Sequence, residues 1–269
     1  MALDRYQNST TYEHPQESNL LNVHKTMQYD QAGQPVMRTN NFMLDVAAGL
    51  IPGHSNVFIG GRNRHVANNT EATVWNYGGL YPWSVWDSGA GTLTAVSNSA
   101  LDTNILILLD GLDSNFNPQT EVITVNDGVA VTTTKSFIRL NSATNIGGKP
   151  SVGTISIRKN GTVVGVINAD KQSTSMSIYT VPAGYTAYSV WGEFAILGGA
   201  YAEVRALWRF YGGVFIGVYA TEMSGASYQA TPPIPGRIPE KTDIDNRVAV
   251  GTNNLTASSN QQLLLVKNI

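Results

Sequence analysis

Apolar and polar residues alternate from Tyr201 to Phe210, with Ala202, Val204, Ala206, Trp208 and Phe210 on one side and Tyr201, Glu203, Arg205, Leu207 and Arg209 on the other. A period of two marks a strand with one buried face. Shorter strand-like runs occur at Leu93 to Val96, Ile105 to Leu109, Val122 to Val125, Ser136 to Leu140, Val152 to Ile157 and Val163 to Ile167. Others follow at Met176 to Val181, Tyr185 to Leu197, Val214 to Ala220, Ile244 to Val250 and Gln262 to Val266. Asp127-Gly128 and Asn160-Gly161 stand between such runs, as tight turns with positive φ require. Pro182-Ala183-Gly184, Gly198-Gly199 and Gly212-Gly213 mark further reversals. Strands spaced roughly 8–12 residues apart predict a sandwich or barrel. The pattern therefore predicts an all-β chain with two jelly-roll-like sandwiches, residues 43–170 and 171–269. The only helical signal is a short turn near Phe42 to Ala48, and the Pro-rich piece Thr231 to Pro239 is expected to run as an extended surface connection.

Residues 1–42 show neither period and read as an extended arm. Polar residues there are interspersed with Tyr6, Tyr12, Leu20, Leu21, Met27 and Tyr29. Disordered tails are usually depleted in such anchors, so these six are the expected docking contacts of the arm. A frayed tail is the plain alternative. A second group, Trp75, Tyr77, Tyr81, Trp83 and Trp86, is dense and aperiodic. Filling a core or lining a subunit interface is the expected use, ahead of a sugar-stacking platform.

Composition narrows the function. Charged residues make up only 13% of the chain, against ~25% in an average soluble domain, and a surface so poor in charge expects neighbours. The 26 glycines supply the positive-φ positions that frequent reversals need. A net charge of −2 offers no field for direct nucleic-acid binding. The chain has no cysteine, hence no disulfide, thiolate metal site or cysteine nucleophile. Met1 to Thr11 lacks a basic start and an apolar stretch, and no run approaches the ~18 apolar residues of a membrane span. The expectation is a protein made and kept soluble in a cytoplasm, with no membrane partner.

Catalytic motifs are sparse. No Gly-x-Ser-x-Gly elbow, phosphate-cradling glycine loop or zinc spacing among His14, His24, His54 and His65 occurs. Gly60-Gly61 before Arg62 and Arg64 reads as a turn with a basic edge. Asp113, Asn115 and Asn117 alternate like calcium ligands, but Pro118 stands where the loop's glycine belongs and Thr124 where its glutamate belongs, so Asx-turn bonding is the expected role. Paired carboxylates for glycoside cleavage are a matter of spatial separation and stay open. Asp243, Asp245 and Arg247 alternate beside Glu240 and Lys241, a pattern read as a solvated or intersubunit charge ladder. No catalytic, cofactor-binding or metal-binding residue and no cofactor is expected.

Several stretches resemble a family of virion structural proteins of tailed bacteriophages, chiefly phages of aquatic bacteria. The carrying pieces are Ile51-Pro52-Gly53-His54, Gly111 to Asn117 leading through Glu121 to Val131-Thr132-Thr133-Thr134, and Ile138-Arg139-Leu140-Asn141. Further on come Ile178 to Thr186, Ile238 to Ile244 and Leu264 to Asn268. The resemblance spans residues 45–269 and implies a non-enzymatic particle component, foremost a capsid decoration or cement protein, with a tail, fibre-base or adaptor position as the alternative. It implies a protein assembled in the host bacterial cytoplasm and carried in the virion, in contact with major capsid or tail proteins; the charge-poor surface further predicts a homo-oligomer, for which a trimer would suit. A receptor- or carbohydrate-binding module is the competing class.

Overall fold

The computed structural model describes residues 28–29, 35–36, 41–198, 201–252 and 254–268. The chain divides into two compact units, residues 1–55 and 56–269. In the first, the two-residue strands β1 (Gln28–Tyr29) and β2 (Pro35–Val36) pair antiparallel. Its single-turn helix α1 (Phe42–Ala47) is capped by Asn41, whose side-chain oxygen accepts from the Leu44 amide at 3.2 Å. The arm expected to end at residue 42 thus gives way to a helix, and the boundary between units falls after residue 55.

The second unit contains two sandwiches. Strands β3 (His54–Val66) and β4 (Glu71–Thr73) lead to a 3₁₀ turn at Trp83–Trp86. The first sandwich follows, built from β5 (Gly91–Ser97), β6 (Ile105–Leu112), β7 (Pro118–Val125), β8 (Val131–Phe137), β9 (Arg139–Asn145), β10 (Ile155–Lys159) and β11 (Thr162–Ile167). One sheet has the order β11-β10-β5-β8 and the facing sheet the order β7-β6-β9. Leu93, Ile105, Ile107, Leu109, Phe137, Ile155 and Ile157 meet between them, each at most 1% exposed. Asn160 and Gly161, at φ of 49° and 81°, close the expected β10–β11 hairpin. Asp127-Gly128 also turns tightly, with φ of 50° and 68°. Its flanking strands enter opposite sheets, however, so this turn folds the chain over the core's edge.

The second sandwich contains β12 (Ile178–Thr180), β13 (Tyr185–Leu197), β14 (Tyr201–Arg209), β15 (Phe215–Ser224), β16 (Ser227–Ala230), β17 (Gly236–Ile238), β18 (Asp243–Thr252) and β19 (Leu255–Lys267). One sheet has the order β16-β13-β19-β3, with β17 also on β13; the other has the order β12-β18-β14-β15, with β4 also on β18. The all-β reading therefore holds, and the chain passes from one sandwich to the other between Ile167 and Ile178, so the correction to the expected domains concerns residues 54–73. Residues 54–73, expected in the first domain, add a strand to each sheet of the second, and both sandwiches lie in one compact unit. The physical reason is at Gly61, inside β3. A Cβ there would stand 2.0 Å from the Val74 carbonyl oxygen and 2.3 Å from the Ser177 amide nitrogen. Gly60-Gly61 is thus a site of close backbone approach within a strand, and the expected turn is absent.

The second sandwich is layered along its length. Ile196, Val204, Val248, Val250 and Ala257 form one apolar cluster, and Ile59, Ala187, Ile244, Leu263 and Leu265 another. Between them in sequence on β3, β18 and β19 lie the buried polar residues Asn63, Asn246, Ser259 and Gln261. The Pro-rich piece is also corrected. Gly236–Ile238 pairs with β13 as a short strand and buries Ile238 completely, with prolines only at its flanks.

Candidate functional site

The alternation of Asp243, Asp245 and Arg247 places all three on one face of β18, and that face is covered. Asp243 is 2% exposed and Asp245 is fully buried, so the expected solvated or intersubunit ladder is corrected to an internal network. Strand register explains it: Arg209 lies opposite Asp243 and Arg205 opposite Arg247 on β14, and Thr180 lies opposite Asp243 on β12. Arg209 donates to Asp243 through Nη2 at 2.7 Å, and Thr180 Oγ1 donates at 2.6 Å. The remaining partner comes from the first sandwich. Arg139, on β9, donates to both Asp243 oxygens, Nε at 2.8 Å and Nη2 at 3.0 Å.

Asp245 accepts from Arg247 Nε at 2.8 Å, Thr73 Oγ1 at 2.9 Å and Trp83 Nε1 at 2.9 Å. Burial pushes its carboxyl above the ordinary range, with Arg247 and the Trp83 bond opposing. Arg205 and Arg247 would repel, but Glu71 bridges them with one oxygen to each at 3.3 Å. Arg139 and Arg209 also lie over the Trp83 ring, 5.8 and 5.3 Å from its centre. Four arginines and four carboxylates (Glu71, Glu203, Asp243 and Asp245) are thereby paired in one cluster. Its geometry serves cohesion. Every acidic oxygen of Asp243 and Asp245 already holds donors, and none faces an open cleft.

Of the five aromatic residues offered as an interface, Trp75, Tyr81, Trp83 and Trp86 are each 6% exposed or less and belong to the first sandwich's core. Their surface is covered within this chain, so the interface expectation is corrected for these four. They pack edge to face, Trp75 on Tyr81 at 5.1 Å and Tyr81 on Trp83 at 4.8 Å. Tyr77 alone is open, at 57%. Tyr6, Tyr12, Leu20, Leu21 and Met27 lie outside the described residues; Tyr29 falls in β1, with its side chain outside them too. Asp113 accepts from the amides of Asn115 at 2.8 Å and Asn117 at 2.9 Å, the expected Asx turn.

Two surface features escaped the sequence reading. The β14–β15 hairpin carries an apolar border in which Phe210, Tyr211, Val214, Ile216 and Val218 are all open to solvent, from 39% to 76%. From Phe210 to Thr221 it holds no charged residue. Among the described residues β15 pairs with β14 alone and ends its sheet. The signal was present in the uncharged run, but its apolar residues equally suited a core strand. The second feature is an open cavity of about 350 Å³ beside Tyr77, reaching Arg158 and Thr162 of the β10–β11 hairpin.

No family model matches the chain, and no curated protein does. Among solved structures, the PBSX exported protein XepA aligns over 90% of this chain and 100% of its own, at 8% identity and a TM-score of 0.20. A structure of infectious bursal disease virus, Gt strain, aligns over 84% and 78% at 10% identity and a TM-score of 0.21. Arthrobacter globiformis T6 isomalto-dextranase complexed with panose aligns over 79% of this chain but 35% of its own, at 11% identity and a TM-score of 0.23. Scores this low carry no argument about what the chain does.

Proposed function

We propose that this chain is a structural component of a tailed-phage virion, a capsid decoration protein that acts through buried contact with neighbouring subunits. The sequence resemblance supplies the class, and the exposed apolar border of the β14–β15 hairpin carries the mechanism. Contiguous exposed apolar surface on a charge-poor protein marks a contact site. The neighbour assigned to it is a second copy of this chain, because the border is uncharged throughout and self-contact brings no like charges together. Around a particle many such contacts add through multivalency.

The test is solution mass by light scattering, together with mass spectrometry of purified particles. The wild type is expected to self-associate and to be present in particles. Val214→Lys with Ile216→Lys, two exposed positions, is expected to give a folded monomer with reduced incorporation. A wild-type monomer absent from every particle would end the proposal.

A further inference from the structure

We propose that the cavity beside Tyr77 is a binding site for an acidic sugar, such as a uronic or sialic acid unit at the end of a glycan. The cavity is built from two neighbouring pieces of chain. Trp75, Tyr77, Leu80 and Pro82 form one wall, and Arg158 and Thr162, at the base of the Asn160-Gly161 turn, form the other. Trp75 is 1% exposed and fixes the floor: its indole Nε1 donates to the Gly79 carbonyl at 3.0 Å. Tyr77 leans on it edge to face, with ring centres 5.3 Å apart, and keeps 57% of its surface open. Gly78 and Gly79, at φ of 88° and 68°, give the loop the left-handed turn that raises Tyr77 and Leu80 from the surface.

A pyranose needs an apolar plate for its C–H face and polar groups around its hydroxyls. Tyr77 and Leu80 give the first, and the Thr162 and Tyr77 hydroxyls the second. The volume lies at the small end of ligand sites, which suits one or two rings. Charge decides the class. Arg158 is the only ionisable side chain besides Tyr77 in the lining, which has no carboxylate. Arg158 is exposed, and among the described residues its side chain has no ion-pair or hydrogen-bond partner. A planar guanidinium free to take a bidentate partner selects a carboxylate. The ligand is therefore an anionic pyranose rather than a neutral one. This site does not depend on the apolar border at the other sandwich, so a protein can serve the shell and hold a glycan.

The test is saturation-transfer NMR on the intact protein with glucuronic acid, N-acetylneuraminic acid and glucose as probes. Transfer to one or both acidic sugars is expected, with glucose at least tenfold weaker. Tyr77→Ala should abolish transfer, and Arg158→Ala should weaken it at least tenfold while Arg158→Lys recovers part. Both positions are solvent-exposed, and an unchanged melting temperature in the variants separates loss of the site from loss of the fold. Absence of transfer to every probe, equal transfer to glucose, or transfer unchanged by both alanine variants would each overturn the assignment. None of these results bears on particle incorporation.

Discussion

Substituting Asp243→Asn tests whether the buried network is the latch between the two sandwiches. The carboxylate is 2% exposed and takes five hydrogen bonds, from Arg139, Arg209 and Thr180. Asparagine preserves the shape, removes the charge and turns an amide donor toward two guanidinium groups that are themselves donors. Removing one partner of a buried pair costs about 3–5 kcal/mol, because the remaining charge stays in the interior uncompensated. For a unit of this size each kcal/mol lowers Tm by roughly 2–4 °C, so the drop should be about 6–20 °C. Since Arg139 belongs to the first sandwich and Asp243 to the second, its two bonds are among those that join them, beside the Asn141–Thr180 pair and the bond from the Ala183 amide to the Phe116 carbonyl. Differential scanning calorimetry should show the single wild-type transition broaden or split in the variant. Replacing Arg139, Arg209 and Asp243 together by apolar residues of similar size should recover most of the loss. A change below about 1 kcal/mol with one sharp transition, the behaviour of an exposed pair, would refute the argument.

Gly61→Ala forces a methyl group into backbone atoms of two other segments and should cost about 3 kcal/mol, read by urea denaturation; a neutral result would mean that β3 is not seated where described. Ser259→Ala should act the other way: among the described residues this buried hydroxyl has no hydrogen-bond partner, and removing it should stabilise the chain by about 1 kcal/mol. A loss of stability on the same melt would show that the hydroxyl is bonded. Asp102 supplies a pH dependence. Burial pushes its carboxyl up, but donation from Ser97 Oγ at 2.5 Å and the amides of Val152 and Gly153 at 2.6 and 3.0 Å outweighs burial and holds it below its usual 3.8. A folded-state value below the unfolded one means stabilisation that is complete above about pH 4 and disappears as pH falls through the depressed value. Urea melts of Asp102→Asn and wild type should therefore differ at pH 7 and converge toward pH 2; a gap independent of pH would refute it.

What the sequence disclosed about this fold follows from the range of the physics involved. Strand periods and the Asn160-Gly161 hairpin depend on near neighbours and were legible. So was the Asx turn at Asp113, which needs only the next four residues. Partner choice was not. Gly60-Gly61 looked like punctuation because two adjacent glycines usually turn a chain, while here a strand interior must pass within contact of Val74 and Ser177. That close passage draws residues 54–73 onto strands nearly two hundred residues away, and no local pattern encodes it. The aromatic run at 75–86 has the same composition whether it fills a core or meets a neighbour. Burial of Trp75, Tyr81, Trp83 and Trp86 decides in favour of the core.

The charge ladder shows where such reasoning turns. Period-two spacing correctly put Asp243, Asp245 and Arg247 on one face, and the assumption that a charged face is a wet face then misplaced it. Burying a carboxylate is tolerable only with donors converging on it, and here those donors include Arg139, Arg209, Thr73 and Trp83, from four separate segments. Thr73 and Trp83 come from the stretch around the misread glycines, so the close approach at Gly61 and the burial of Asp245 are parts of one arrangement. The network thus holds four arginines and four carboxylates in mutual pairs. Glu203, Arg205 and Arg209, the charged side chains of β14, pair on the network face, while the hairpin from Phe210 to Thr221 holds none, and on that uncharged, exposed apolar surface the proposed contact with a second copy rests.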